Sequence, residues 1–257
     1  MVSGHPRYIN LGDPKAAVQW FQRLLGDLES LAAADPSNLR ARFDLSEADA
    51  DLGAAYADIN PGRAEQLYRR SLALSASFLE SNPGDWEALF YQAFNRLEFA
   101  SVLLRLGKPA QSLAQLQKCV QILDDLARRD PVHPGGRQLL GVALNMRAAQ
   151  LLKQGDVAES ERDQQRSLAI LEKLYGENPR SLTLLRDLAD SYKGAGDMAV
   201  NQSDWKQAQI QYQKSLDLWE HWGNVGTSTI YYRTQREAAA RLVARAARRA
   251  GKNSSPQ

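Results

Sequence analysis

Cofactor and acid–base chemistry find few footholds in these 257 residues. The stretch Gly194-Ala195-Gly196-Asp197-Met198-Ala199 has the spacing of a phosphate-cradling glycine turn. Such a turn needs a strand in front of it. Here the flanking residues keep a helical pattern, so the two glycines are expected to let helices pack closely. His5, His133 and His221 stand apart, each beside a predicted helix end or turn. They lack the paired spacing of a metal site, so capping or solvent exposure is expected and no metal. Asp124-Asp125 fall on a face that a helical wheel sends mostly to solvent, which leaves no paired carboxylates for proton transfer. Cys119 is the single cysteine and cannot form an internal disulfide. A reactive thiol would need an exposed, electropositive setting, so close packing between helices is its expected role. A glycine-rich loop on a strand, a His-Arg-Asp loop and an Asp-Phe-Gly metal ligand are all missing, which excludes kinase chemistry from these residues. Neither catalysis nor a cofactor is expected.

Charge gives a second set of candidates. The formal net charge is only +2, from 32 Lys and Arg against 30 Asp and Glu, so no global field argues for nucleic acid or membrane. The exception is local. Between Ser228 and Lys252 the chain holds Arg233, Arg236, Arg241, Arg245, Arg248, Arg249 and Lys252 against the single acid Glu237. Ile230, Tyr231, Leu242 and Val243 give the same segment an apolar side. Two readings stay open: a helix that seals the end of a core with solvated arginines, or one that meets an acidic partner or anionic surface. No run of about eighteen apolar residues occurs, and Met1 to Asn10 lack the apolar stretch of a secretory signal. A cytoplasmic setting is the expectation.

Helices must position these groups. The composition favours Ala, Leu, Gln, Arg, Glu and Asp, Val and Ile are sparse, and no segment alternates apolar and polar between hairpin turns. Three registers repeat together. Asp35-Pro36, Asn82-Pro83, Asp130-Pro131 and Asn178-Pro179 are spaced by 47, 48 and 48 residues. Ala17, Ala64, Ser112, Ser160 and Ala208 keep the same period, as do Leu25, Leu72, Val120, Leu168 and Leu216. Proline keeps the residue before it out of the helix and fits a first turn itself, so each pair marks a boundary. The Asp or Asn is expected to cap the helix that follows.

A second break falls at Asn60-Pro61-Gly62, Gly107-Lys108-Pro109, Gly155-Asp156 and Ser203-Asp204. First helices are predicted near 37–58, 85–106, 135–154 and 180–202, and second helices near 63–81, 110–129, 157–177 and 205–222. A lone helix at 14–34 opens the array and one at 228–250 closes it, about ten helices in all, after a linker at 1–13 and before a disordered tail at 251–257. Repeat boundaries fall at 14–35, 36–82, 83–130, 131–178 and 179–226. No helical pair buries its apolar stripe alone, so an all-α, right-handed superhelical solenoid of antiparallel helix pairs is expected.

Leu52-Gly53-Ala54-Ala55-Tyr56, followed by Ala64, Tyr68, Ser71 and Leu72, resembles a tetratricopeptide repeat. The family's unit is about 34 residues. The excess of about 14 divides into two sevens, close to two turns in each helix, which keeps buried faces in register. Arg147 and Gln164 replace residues that are apolar or aromatic in the family, which suggests looser packing of the third repeat.

The resemblance implies that first helices line an inner face, bringing Phe90, Phe94, Leu97, Leu104 and Arg105 to it, then Asn145, Lys153 and Lys193. That face would hold a peptide or helix of another protein. The alternative is that the aromatics serve as ordinary core, since Trp86, Phe90, Tyr91, Phe94 and Phe99 cannot all point one way. Glu47 and Ala50 depart from the basic set that grips a terminal carboxylate in some family members. Arg186-Asp187-Leu188-Ala189-Asp190-Ser191-Tyr192 and Ser167-Leu168-Ala169-Ile170-Leu171-Glu172 are similar to repeat regions behind the catalytic domain of some bacterial serine/threonine kinases. This implies a regulatory or substrate-docking module as the alternative to a scaffold that binds protein. A monomer is favoured, and the basic residues Arg241, Arg245, Arg248 and Arg249 are the remaining candidates.

Overall fold

The computed structural model describes residues 14–225 and 229–253. It forms two compact units, Met1–Pro131 and Val132–Gln257. The first holds α1 (Pro14–Ala34), α2 (Leu39–Tyr56), α3 (Pro61–Ser81), α4 (Trp86–Arg105) and α5 (Pro109–Arg129). The second holds α6 (Pro134–Gln154), α7 (Val157–Glu177), α8 (Leu182–Asn201), α9 (Trp205–Val225) and α10 (Ile230–Asn253). Within each unit successive helices pack on one another, and α2 also meets α4, as α6 meets α8. The fold is thus all-α and of the helical-solenoid class. The expected linker 1–13 and residues 254–257 of the expected tail lie outside the described residues, whereas Gly251 to Asn253 continue α10.

The Asx-Pro pairs act differently from the expectation. Asn82, Asp130 and Asn178 end helices, their N–H groups donating to the carbonyls of Phe78, Leu126 and Leu174. The carbonyls of Asp35, Asn82 and Asn178 then accept from the N–H three residues on, at 3.1 Å each. Proline therefore takes the second place of a turn, where its fixed φ suits it. The N-caps are Asn38, Asp85, His133 and Ser181, whose side chains accept from Ala41, Ala88, Gly136 and Leu184 N–H. His133 thus caps α6 through Nδ1, as its place beside a helix start suggested. Within pairs, Gly107, Gly155 and Ser203 occupy one register of the left-handed region, with φ of 68°, 86° and 63°.

Each first helix touches its second helix through a small residue, in two forms. Gly53 lies against the Tyr68 ring, and a Cβ on Gly196 would overlap the Tyr212 ring. Ala64 and Ala208 accompany these pairs, fully buried. At the same registers the other repeats carry Ala100 with Ser112 and Leu116, and Ala148 with Ser160 and Gln164. There the serine hydroxyl donates to the alanine carbonyl at 2.7 Å in both cases. Glycine accompanies the large ring, and alanine the smaller side chain, as close packing demands.

Cys119 is fully buried, so its packing role holds. Arg147 and Gln164 do not loosen their repeat: Arg147 makes a bidentate pair with Asp163 (2.6 and 2.7 Å), and Gln164 donates to the Ser191 carbonyl and hydroxyl. A satisfied polar network replaces the apolar contact there.

Candidate functional site

In the first unit the exposed side of α2 carries Arg40, Asp44, Glu47 and Asp51, spaced by four, three and four residues along one helical face. Arg40 is held by carboxylates and an aromatic ring together. Its Nε reaches Asp44 at 2.9 Å, its Nη1 reaches Glu87 at 3.7 Å, and its guanidinium lies 5.4 Å from the Phe43 ring centre. Glu47 accepts a hydrogen bond from Asn95 Nδ2 at 3.1 Å. Burial pushes its carboxyl up to about 7, against that hydrogen bond and with added repulsion from Asp51, Glu87 and Asp44. Asp51 is exposed as a whole, yet burial around the carboxyl raises it to about 6.

Across from this stripe, α4 contributes an aromatic run. Trp86 stacks on Phe90 at 5.2 Å and 10°, and Phe90 meets Tyr91 edge-on at 5.9 Å. Tyr91 is 37% exposed and packs on Phe43. Burial raises the Tyr91 phenol first, and Glu47, Glu87 and Asp51 add to the shift, which gathers these carboxylates around one ring.

The expected site residues separate. Phe90 and Phe94 are half-buried and Leu104 is exposed, but Leu97 is fully buried in the core and offers no surface. A repeat period assigns a residue to a helix without saying which arc of that helix lies between two neighbours, so Leu97 was misplaced. Arg105 is taken up by Asp58 in an ion pair. In the second unit, Asn145 turns its side-chain oxygen toward Gly194, where a Cβ would stand 2.5 Å away. Lys193 donates to Asp197 at 2.7 Å, and Lys153 is exposed. Gly194 and Gly196 sit inside α8, so the nominal glycine fingerprint is helical. His221 is exposed, and His5 lies outside the described residues.

The last helix packs on the core and leaves most of its arginines exposed. Leu242 and Val243 pack with Ala246 against Ala199, Ala208 and Tyr212, while Tyr232 and Ala239 join Ala189 and Trp219. Ile230 stays exposed and does not seal the core as expected, whereas Tyr231 is partly exposed but meets the buried Trp219 ring edge-on at 6.0 Å. Arg249 lies over Trp205 and Arg236 over Tyr232, but Arg241, Arg245 and Arg248 point outward, with Arg241 3.9 Å from Glu237.

Sequence reasoning missed Asp44, Asp51 and Glu87, and weighed Tyr91 only among aromatics that could serve as core. The signal was the helical spacing of acids on α2, hidden by a balanced net charge. Among the described residues, no group of three or more His, Cys, Asp or Glu could hold a metal ion. No described helix is long and apolar enough to cross a membrane.

Residues 139–200 match the tetratricopeptide repeat family. The tetratricopeptide match thus spans α6 to α8, where the polar Arg147–Asp163 and Gln164–Ser191 contacts lie. No curated protein matches the chain in sequence. Among solved structures, BtubC (BKLC) from P. vanneervenii is 18% identical over 95% of this chain and 94% of its own, with a TM-score of 0.59. MamA is 16% identical over 84% of this chain and 99% of its own, with a TM-score of 0.44. YrrB, a tetratricopeptide protein with an unusual peptide-binding site, is 16% identical over 79% of this chain and 80% of its own, with a TM-score of 0.40. Such likenesses concern the fold alone, and the first of them extends over nearly the whole chain.

Proposed function

We propose that the chain is a non-catalytic, cytoplasmic protein-binding scaffold that holds an extended or helical segment of another protein on the first-helix face of its first unit. One observation carries this reading. Trp86, Phe90 and Tyr91 form a half-exposed aromatic platform beside carboxylates that the unit's own packing leaves at the surface. An aromatic or aliphatic anchor buried on such a platform contributes roughly 1.5–3 kcal/mol, and a few anchors support micromolar affinity after ordering costs. The regulatory module of a longer kinase would use the same face in the same way.

The test is selection of binders from a phage-displayed random peptide library, followed by titration of the selected peptide. Phe90→Ser and Tyr91→Ser are expected to weaken binding about tenfold or more each. Leu97 is unsuitable for such a test because its replacement would damage the core. Binding that survives both surface substitutions, with helicity unchanged, would move the site away from this face.

A further inference from the structure

Two surfaces of this chain are complementary in charge and in spacing. On α2, Asp51, Glu47 and Asp44 follow one another at intervals of four and three residues when read toward the N-terminus. On α10, Arg241, Arg245 and Arg248 follow at the same intervals when read toward the C-terminus, and all three are exposed. Residues three and four apart share a helical face, so each set spans about 10 Å along its axis. Laid antiparallel, the two faces bring Arg241 to Asp51, Arg245 to Glu47 and Arg248 to Asp44. Ala240 and Ala244 are exposed beside the arginines, so the cationic side of α10 has little bulk to prevent approach.

We propose that α10 of one copy docks along the acidic, aromatic α2–α4 face of a second copy, joining copies head to tail. The first unit already displays the recognition chemistry on itself. Arg40 is gripped by Asp44 and Glu87 with its guanidinium on Phe43, and half-buried Glu47 and exposed Asp51 continue that stripe along the helix. Phe90 and Tyr91 offer incoming guanidinium groups a second ring surface. The pairing is heterologous, because the two patches differ, so each copy can act as donor and acceptor at once. The proposal uses the same face as the peptide-binding reading, yet the two fail separately: loss of self-association leaves peptide capture by Phe90 and Tyr91 untouched.

Sedimentation velocity over a concentration series tests it on the full chain. Association is expected at low salt and about tenfold weaker at high salt, since the contacts are ionic. An acid-face variant, Asp44→Lys with Asp51→Lys, spares half-buried Glu47 and is expected to be monomeric. An arginine variant, Arg241→Glu with Arg248→Glu, reverses the partners of Asp51 and Asp44 and is expected to be monomeric as well. Mixed together, the two restore association, because each reversed face now meets its reversed partner. Circular dichroism checks that both variants fold, and Asp51→Lys alone serves if the double change does not. The proposal is overturned by a wild-type chain that stays monomeric at every concentration. Association indifferent to the reversals, or a mixture that fails to reassemble, overturns it too. An arginine variant that loses only binding to anionic vesicles or RNA would assign α10 to those surfaces instead.

Discussion

Glu47 stands where helix packing and surface chemistry meet, and its carboxyl records the conflict. Burial raises it from 4.5 to about 7, Asp44, Asp51 and Glu87 add repulsion, and the Asn95 amide opposes the shift. Glu47 and Arg40 in turn act in opposite directions on the Tyr91 phenol. The folded chain thus keeps a proton that the unfolded chain releases above 4.5, so this group lowers stability as pH climbs from there to about 7 and then no further. Glu47→Gln removes that slope while retaining an oxygen for Asn95. Its advantage over the parent should be on the order of 1 kcal/mol larger at pH 8 than at pH 4, read from thermal melts across that range. A constant difference between the two melts would show that Glu47 is solvated as an ordinary surface acid. Asp51, raised to about 6, keeps a weaker slope of the same sign in the variant. Sequence alone showed Glu47 as a departure from a basic, carboxylate-gripping face. Its desolvation was not legible, because it depends on how closely α4 comes to α2, which no spacing along one helix records.

Helix boundaries were the best-read feature, since a 47–48-residue period with proline in fixed register leaves little freedom. What spacing could not show was which side of the boundary the Asp or Asn serves. Backbone sterics before proline decide it, placing the pair at the end of one helix and the cap three residues later. The turn inside each pair is a similar case. Gly107 and Gly155 hold the left-handed conformation without penalty, whereas Ser203 holds it at the same register with a Cβ present. A side chain in that region costs about 1–2 kcal/mol, partly offset by the greater entropy that glycine loses on folding. Ser203→Gly is therefore expected to stabilise the second unit by about 0.5–1 kcal/mol, while Ser203→Ala gives no gain. Urea titration measures both, and a glycine variant no more stable than the alanine one would show that the turn is unstrained. The third repeat adds a caution about substituting by family preference: Arg147 and Asp163 are both nearly buried and bonded to each other, so replacing either alone strands a charge.

At the scale of the whole chain, a net charge of +2 conceals an acidic face on α2 and α4 and a cationic one on α10. Sequence pattern found the second because its arginines are consecutive in one segment, and overlooked the first because its acids come from two helices about forty residues apart. It also left open whether α10 seals the core or meets a partner, and the packing shows that sealing is one of its tasks whatever binds outside. Tyr232, Ala239 and Ala246 are buried, and Trp219, Tyr212 and Ala208 are covered from the other side. In repeat arrays each helix pair relies on its neighbour, and a terminal helix that covers the last pair behaves as a cap. Truncation after Val225 would uncover those side chains together. The expected loss is on the order of 3–5 kcal/mol from the second unit, accompanied by a red shift of tryptophan emission as Trp219 meets water. Arg241→Glu with Arg248→Glu should change neither emission nor melting by a comparable amount, since both side chains are exposed. If the truncated chain melts like the parent, α10 is an appendage and its apolar contacts are incidental. If the arginine variant melts as early as the truncated one, the outward charges stabilise the fold and cannot serve a partner alone.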